Sequence, residues 1–230
     1  MNLGIVLQSL PLFLQGLWTT LWLVALALIF GLLLAVPLGI MRTSRNPLVN
    51  GPVWAYTYFF RGTPLFVQLG IIYYGSGQFA AIRESILWPL LSQAWFCALL
   101  AFTLNTAAYT AEIVRGTIEA TPRGEVEAAR ACGMSRGLML RRVILPSAFR
   151  RALPAYGNEV IFMLHGSAVA SLVTIADLTG VARLINSRFY APYEAYLTVA
   201  AFHATLTFLI VWLFRRLEHR WHGHLRARPG

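Results

Sequence analysis

Long windows without a charged side chain dominate this sequence, and the first charged residue along the chain is Arg42. A helix needs about 20 apolar residues to cross the roughly 30 Å hydrocarbon core of a bilayer. Only 12% of the 230 residues are charged, about half the share found in soluble domains. We therefore predict an all-α integral membrane protein with five transmembrane helices, which occupy the uncharged windows 17–41, 62–82, 85–111, 160–176 and 195–214.

Three segments bear on the number and the limits of these helices. Pro11 is expected to break the first apolar run, which leaves residues 1–15 as a periplasmic interfacial segment. The fourth window is short unless its helix begins near Ala152, and that earlier start places Glu159 inside the membrane. The aromatic segment 51–60 suits the headgroup region, and a sixth helix there is the alternative.

Arginine supplies all 19 basic residues, and its distribution predicts the orientation of the chain. Only Arg83, Arg183 and Arg188 fall on one side of the predicted topology, and the other sixteen fall on the opposite side. Because basic loops stay in the cytoplasm, we predict a periplasmic N-terminus and a cytoplasmic C-terminus. Residues 16–215 then form one transmembrane domain, and residues 216–230 form a basic cytoplasmic tail. The absence of lysine excludes a P-loop, so any ATP must bind to another chain.

The longest polar segment, residues 119–150, is predicted to be a cytoplasmic loop of two short helices. Thr121, which precedes a proline, is a suitable cap for the first helix. Gly133 can end that helix in the left-handed conformation, and Ser135 can cap the second helix. Pro146 is expected to limit the second helix. The loop is therefore predicted to present two helices that meet at a glycine corner.

A spaced pattern in this loop resembles a known docking element. Glu127-Ala128-Ala129 is followed after three residues by Gly133 and, after nine more, by a segment that ends at Pro146. This spacing resembles the EAA loop of type I ABC importer membrane subunits, in which the loop forms a coupling helix that fits a cleft of the ATPase subunit. An ordinary amphipathic loop is the alternative. The resemblance implies an ATPase-coupling role for Glu127, Ala128, Ala129, Arg130, Gly133 and Pro146.

Other motifs are similar to those of amino acid permeases. Residues 60–65 (FRGTPL) and 104–110 (LNTAAYT) resemble the polar amino acid permeases. Residues 152–160 (ALPAYGNEV) are similar to the membrane subunits of histidine and arginine importers. The resemblance implies the membrane-spanning subunit of an ATP-driven importer of polar amino acids in the bacterial inner membrane. The implied substrates are basic amino acids, namely arginine, histidine, lysine or ornithine.

The same resemblance implies the partners of the chain. They are a second permease subunit (a copy of this chain or a sister), two ABC ATPase subunits and a periplasmic amino-acid-binding protein. ATP and Mg are expected on the ATPase subunits, and no cofactor is expected in this chain. The net charge of +10 is placed beside the predicted membrane, which predicts contact with membrane lipid and not with nucleic acid.

One acidic residue is the main candidate for substrate binding. Glu159 has no basic residue within one turn of its own helix, and an unpaired carboxylate inside a membrane predicts a water-filled cavity. The resemblance implies that a glutamate at this position binds the cationic group of the substrate. Pairing of Glu159 with another helix or subunit is the alternative, and interhelical hydrogen bonding is the alternative for the polar residues of other helices. The predicted substrate-binding residues are Glu159, Asn158, His165, Gln68, Asn105 and Tyr109.

The rival class is a stand-alone ion-coupled secondary transporter or channel. Such a protein uses Glu112 and Glu159 as ion sites, but secondary transporters often contain internal repeats, and no clear repeat is present. Glu112 lies three residues before Arg115, so the two are predicted to form an ion pair. No catalytic residue and no metal site are predicted, and the chain is interpreted as a transport subunit and not as an enzyme.

Overall fold

The computed structural model describes residues 3–222, with only the backbone for His222, and this part of the chain consists of helices and turns without a strand. An all-α fold was predicted, and these residues confirm it. The helices are α1 (Leu3–Arg42), α2 (Pro47–Gly62), α3 (Leu65–Gly70), α4 (Ala80–Arg83), α5 (Trp88–Leu91), α6 (Ala94–Glu119), α7 (Arg123–Ala131), α8 (Arg136–Met139), α9 (Leu145–Gly166), α10 (Leu178–Phe189) and α11 (Pro192–His222).

Three helices are long and apolar enough to cross a membrane, namely α1, α6 and α11 up to Trp221. A fourth span results if the helical stretch Arg136–Val173 and α10, which meet at a 49° bend, are counted together. Length and composition therefore give three to four spans in residues 3–222, and the count of five stays a prediction. The longest helical stretch in the window 62–82 is the short apolar helix Leu65–Gly75, which consists of α3 and a π-helical turn. The extended backbone of Thr63, before Pro64, separates it from α2.

The predicted break at Pro11 is wrong, because α1 runs without interruption from Leu3 to Arg42. A proline removes one helical hydrogen bond, but tertiary packing holds this part of the helix in place. The side chain of Phe13 is fully buried against α10 and α11, among Leu178, Val181 and Val199. At 1.5 Å per residue the helix is about 60 Å long, which exceeds the membrane core. The interfacial position of residues 1–15 stays a prediction.

A seam of small residues joins α1 to α6, the most extensive pair of helices in the bundle. Ala27, Gly31, Ala35 and Gly39 are spaced four residues apart and are all buried. A Cβ atom on Gly39 would lie 2.7 Å from the Val114 side chain, so the two backbones approach more closely than a larger residue allows. Close approach over small residues is typical of helix packing in membranes. The two helices run parallel along this seam.

Helix α9 packs between α6 and α11 and runs antiparallel to both. Arg151, near its start, donates hydrogen bonds to the carbonyl oxygen of Thr117 (3.1 Å) and to Oγ1 of Thr121 (2.8 Å), at the end of α6. On the other side, Gly157 of α9 packs against the ring of Phe214 in α11. The helix that contains the fourth predicted window begins at Leu145, before residue 160, so Glu159 lies within it.

The polar loop and the end of α11 lie at the same end of the bundle. Arg220 and Trp221 share a cavity with Pro146 and Phe149, which lie at the end of the polar loop. This agrees with the prediction that loop and tail face the same side of the membrane, although which compartment they face stays a prediction. The first residues of the predicted tail, 216–222, continue α11, and residues 223–230 lie outside the described part.

Candidate functional site

A buried carboxylate lies in the middle of α9. The side chain belongs to Glu159, whose residue is only 6% exposed. Oε1 of Glu159 accepts a hydrogen bond of 2.8 Å from Oγ1 of Thr106 in α6. This partner lies on another helix, as one alternative proposed, but threonine is neutral. The hydrogen bond therefore orients the carboxylate and does not neutralise its charge.

Glu159 borders a cavity of about 560 Å³ between α6, α9 and the break after α2. This volume lies within the roughly 300–1,000 Å³ range of sites that hold small molecules. The cavity predicted from the unpaired carboxylate is thus present in the structure. Its lining combines apolar and charged side chains: Arg61, Gly62, Thr63, Pro64, Leu65, Asn105, Tyr109, Glu159, Phe162, Met163 and Gly166.

The break after α2 forms one wall of this cavity. Polar side chains from other helices, which were predicted to bind substrate, donate hydrogen bonds that stabilise this wall. The carbonyl oxygen of Phe60 accepts from Nε2 of Gln68 at 2.8 Å and from Nδ2 of Asn105 at 3.3 Å. The hydroxyl of Tyr109 donates to the carbonyl oxygen of Arg61 at 3.2 Å. The last carbonyls of a helix have no partner within the helix, so these side chains supply one.

Three of the six predicted binding residues line the cavity and three do not. Glu159, Asn105 and Tyr109 line the cavity. Gln68 lies behind its wall, only 4% exposed, and its bonds match the interhelical alternative. The remaining two residues, both on α9, lie outside the cavity.

Asn158 and His165 point away from Glu159 because of the helix period. They are seven residues apart and therefore share one face of α9, whereas Glu159 is about 100° away from Asn158 around the axis. Their shared face contacts α11. Asn158 borders a separate cavity beside Phe214, and Nε2 of His165 lies 3.1 Å from Oγ1 of Thr207.

Two residues of the site were missed by sequence reasoning. One is Thr106, the partner of Glu159, and the other is Arg61, which was counted with the cytoplasmic arginines. Both lie inside the motifs 60–65 and 104–110, which was the available signal. The packing of α2 on α6 brings Arg61 to the cavity, where its Cζ atom lies 5.4 Å from the centre of the Tyr109 ring.

The second membrane-depth acid, Glu112, is already paired. Its Oε2 lies 2.7 Å from Nε of Arg115, as predicted, and its Oε1 lies 2.8 Å from Nε of Arg42 in α1. The hydroxyl of Thr57 also donates to Oε1, at 3.1 Å. With two arginines and one hydroxyl as partners, Glu112 joins α1, α2 and α6 and is not an open ion site.

The corner of the polar loop has the predicted geometry. Gly133 has a φ of +74°, in the left-handed region that favours glycine. The N–H of Met134 donates to the carbonyl oxygen of Ala129 at 3.1 Å, and the N–H of Gly133 donates to the carbonyl oxygen of Arg130 at 2.9 Å. These bonds are typical of a glycine-terminated helix. Ser135 caps α8 by accepting from the N–H of Leu138 at 3.4 Å.

Two details of the loop differ from the prediction. The cap position of α7 is Pro122 and not Thr121, and no side chain caps this helix. The Thr121 hydroxyl accepts a hydrogen bond from Arg151. Pro146 does not end the second helix, since the backbone continues from α8 into α9 through one π-helical turn. In that turn the N–H of Leu145 donates to the carbonyl oxygen of Leu140, and a proline in the first turn of α9 needs no donor.

The predicted coupling residues occupy α7, its corner and the start of α9. Glu127, Ala128 and Arg130 are exposed on α7, whereas Ala129 is buried. Gly133 and Pro146 are also exposed. The loop therefore presents charged and small side chains on short helices at one end of the bundle.

Comparison with known proteins identifies the class of this bundle. Residues 27–223 match the family described as "Binding-protein-dependent transport system inner membrane component". The nopaline transport system permease protein NocM of Agrobacterium fabrum is 42% identical over 231 aligned positions, which cover 100% of this chain and 96% of that protein. The histidine/lysine/arginine/ornithine transport system permease protein HisM of Escherichia coli is 45% identical over 212 positions, which cover 92% and 89%.

Solved structures agree with this match. The chain is similar to a structure described as an amino acid ABC transporter with histidines, with a TM-score of 0.85, 36% identity and coverage of 96% of this chain and 99% of that one. An inward-facing structure of the MetNI methionine ABC transporter shares the fold with a TM-score of 0.78 and 22% identity, over 93% and 98% of the two chains. The chain therefore belongs to the family of inner-membrane permease components of binding-protein-dependent transport systems.

Proposed function

We propose that this chain is the membrane-spanning subunit of an ATP-driven importer of polar amino acids, with basic amino acids (arginine, histidine, lysine or ornithine) as substrates. The observation that carries the proposal is the buried carboxylate of Glu159 at the wall of the cavity. A carboxylate inside a membrane bundle is costly unless it meets a cation or water. The Escherichia coli relative is named for four amino acids with basic side chains, which supports the same class.

Glu159 is suited to bind a cationic side chain. Thr106 donates a hydrogen bond to one oxygen of the carboxylate and, as a neutral group, does not neutralise its charge. A guanidinium, an ammonium or an imidazolium group donates charge-assisted hydrogen bonds to such a carboxylate, each worth about 1.5–3 kcal/mol. Asn105 and Tyr109 border the same cavity and are proposed to contact the substrate. Gln68, Asn158 and His165 are not part of this proposed contact surface.

The polar loop is proposed to couple the bundle to an ATPase. Its exposed residues Glu127, Ala128, Arg130 and Pro146 form the docking surface, and the corner at Gly133 fixes the angle between the two loop helices. The proposed assembly contains a second permease subunit, either a copy or a sister, and two ABC ATPase subunits that bind ATP and Mg. A periplasmic amino-acid-binding protein delivers the substrate. ATP binding then shifts the bundle between outward-facing and inward-facing states.

The proposed orientation places the N-terminus in the periplasm and the C-terminus in the cytoplasm. Two observations support it: the excess of arginine on one side, and the position of the loop and the end of α11 at a common end of the bundle. A cytoplasmic loop is required for contact with a cytoplasmic ATPase.

The rival interpretation, a stand-alone ion-coupled transporter, is not favoured. One of its two ion sites, Glu112, is already paired with Arg42 and Arg115. The family to which the chain belongs is also described as dependent on a binding protein.

Reconstitution into liposomes distinguishes the two classes. We expect uptake of labelled arginine to require the ATPase subunits, ATP and the binding protein, and to persist when ionophores remove all ion gradients. Liposomes that contain this chain without the ATPase serve as the control and should show no uptake. Gradient-driven uptake by the chain alone, unaffected by ATP, would overturn the proposal.

A further inference from the structure

Two cavities adjoin each other at the end of the bundle where the polar loop and the end of α11 meet. The first has a volume of about 520 Å³ and is lined by Pro146, Phe149, Arg150, Arg220 and Trp221. The second has a volume of about 390 Å³ and lies between α1, α6 and α9. Phe149 and Trp221 border both cavities, so an elongated ligand that passes these two rings occupies both.

The first cavity is positively charged. Its lining contains two arginines and no acidic residue, and neither of the two guanidinium groups forms an ion pair within residues 3–222. The neighbouring Arg151 differs, because its hydrogen bonds to Thr117 and Thr121 hold α9 against α6. Arg150 and Arg220 therefore have N–H donors available for an anion, and the guanidinium group matches phosphate in particular.

The second cavity is apolar. Aliphatic side chains form most of its wall, and none of its lining side chains is charged. Apolar cavities stay dry and take up apolar ligands, and in a membrane-spanning bundle the acyl chains of lipids are the apolar groups that reach them. The aliphatic lining includes Leu32, Val36, Ile113 and Leu153.

The residue between the cavities suits the boundary of a bilayer. Trp221 borders the arginines on one side and the apolar wall on the other. Tryptophan is enriched at the level of the lipid headgroups, and basic pockets between membrane helices bind anionic headgroups. The order of charged, aromatic and apolar side chains therefore matches the headgroup, the interface and the acyl chain of a phospholipid.

We propose that the two cavities together bind one anionic phospholipid, with its phosphate at Arg150 and Arg220 and an acyl chain between α1, α6 and α9. This inference is independent of the transported substrate and goes beyond the proposed function. Pro146 borders the first cavity, so the lipid lies beside the proposed docking surface of the ATPase.

Three ligands distinguish the possible occupants. Phosphatidylglycerol has a net negative charge and acyl chains, phosphatidylcholine has the same chains without a net charge, and glycerol 3-phosphate has the charge without the chains. Each is titrated into the delipidated complex of this chain with its ATPase in a neutral detergent, and native mass spectrometry counts the bound molecules. The wild-type complex should prefer phosphatidylglycerol to phosphatidylcholine by about fivefold for each of the two arginines.

Two wild-type results would overturn the inference without any variant. Equal binding of phosphatidylglycerol and phosphatidylcholine would show that the arginines do not select an anionic headgroup. Binding of glycerol 3-phosphate as tight as that of phosphatidylglycerol would show a site for a free anion and not for a lipid.

Variants of the first cavity test the headgroup contact. Arg150→Gln and Arg220→Gln should each weaken the binding of phosphatidylglycerol by about fivefold and leave that of phosphatidylcholine unchanged. Arg216→Gln is the matched control, because Arg216 also lies near the end of α11, over the Trp212 ring, and borders neither cavity. Wild-type affinity for phosphatidylglycerol in both cavity variants would contradict the inference.

A variant of the second cavity tests the acyl chain. Leu32→Trp places a ring in the apolar space and should weaken the binding of phosphatidylglycerol and of phosphatidylcholine alike. The neighbouring Leu33 is exposed and does not border the cavity, so Leu33→Trp should bind both lipids as the wild type does. Equal lipid binding by the two tryptophan variants would exclude an acyl chain from this cavity.

Retention of the ATPase separates a lipid from a protein partner at the two arginines. On a blue-native gel, Arg150→Gln and Arg220→Gln should retain the ATPase at the wild-type level. Loss of the ATPase together with unchanged binding of phosphatidylglycerol would assign the two arginines to the ATPase contact, and the inference would be wrong.

Discussion

Thr106 and Glu159 are joined by a hydrogen bond of 2.8 Å that connects the centres of α6 and α9. The two residues are separated by 53 positions in the sequence, and both are buried. This contact fixes the position of the one carboxylate at the wall of the cavity. It therefore connects the packing of the bundle with the proposed recognition of a cationic substrate.

Removal of the Thr106 hydroxyl should destabilise the complex and weaken substrate binding. Thr106→Val keeps the shape of the side chain but leaves a buried carboxylate without its donor, at a cost of about 1–3 kcal/mol. Thr110 provides a matched control, since its hydroxyl is buried without a hydrogen-bond partner in the described part of the chain. Thermal melting of the purified complexes should show a lower midpoint for Thr106→Val only. Equal midpoints for the two valine variants would count against the contact.

The corner of the polar loop should depend on glycine. Gly133 has a positive φ, and no described atom lies within 4 Å of the point that a Cβ atom would occupy, so a side chain there meets only backbone strain of about 1–2 kcal/mol. We expect Gly133→Val to change the angle between α7 and α8 and to reduce both attachment of the ATPase and arginine uptake. Gly137 in α8 is the control, since a Cβ atom there would also have no described atom within 4 Å and the residue lies in ordinary helix. If both variants retain full ATPase attachment and uptake, the coupling role of the corner is wrong.

The seam between α1 and α6 should not tolerate larger side chains. A Cβ atom on Gly39 would come within 2.9 Å of the backbone oxygen of Ala111, and overpacking typically costs about 1–3 kcal/mol. Gly39→Val should therefore lower the yield of assembled complex on a blue-native gel. Gly51→Val in α2, where no described atom lies within 4 Å, should assemble normally. Normal assembly of Gly39→Val would show that the two helices pack less closely than described.

The orientation is tested by cysteine labelling in a background without Cys97 and Cys132. Ser135 and Ser187 are both exposed and lie on opposite sides of the proposed topology. A cysteine at Ser187 should react with a membrane-impermeant reagent in intact cells with a permeable outer membrane. A cysteine at Ser135 should react only after the cells are opened. Labelling of the Ser135 variant in sealed cells would reverse the proposed orientation.

Structural features that depend only on residues close together in the sequence were predicted best. The uncharged windows gave helices α1, α6 and α11, because burial of apolar side chains and helix formation both depend on neighbouring residues. The positive φ of Gly133 and the cap at Ser135 follow from the local backbone chemistry of these residues. The pair of Glu112 and Arg115 lies on one helix face, which also made it predictable.

Features that depend on tertiary contacts were missed or misplaced. Pro11 and Pro146 were expected to interrupt helices, but packing against α10 and α11 and a π-helical turn hold the chain helical at these positions. The position of Arg61 follows from the packing of α2 on α6, which no local pattern contains. Asn158 and His165 were predicted to bind substrate together with Glu159, whereas the helix period places them on another face of α9. A four-residue spacing of small residues in α1 was available as a signal for its seam with α6.

The central claim is that Glu159 binds the cationic group of the substrate, and arginine uptake by Glu159→Gln tests it most directly. The glutamine keeps the shape of the side chain and removes its charge. Glu119→Gln is the matched control, because Glu119 is an exposed acid on α6 paired with Arg115, outside the cavity. Uptake is measured in proteoliposomes at saturating binding protein, with assembly checked on a blue-native gel.

We predict that Glu159→Gln assembles normally and that its arginine uptake falls by roughly ten- to a hundredfold, as expected for the loss of one charge-assisted hydrogen bond, while Glu119→Gln retains wild-type uptake. Wild-type uptake by an assembled Glu159→Gln complex would contradict the claim and leave Glu159 as a structural residue of the α6–α9 contact.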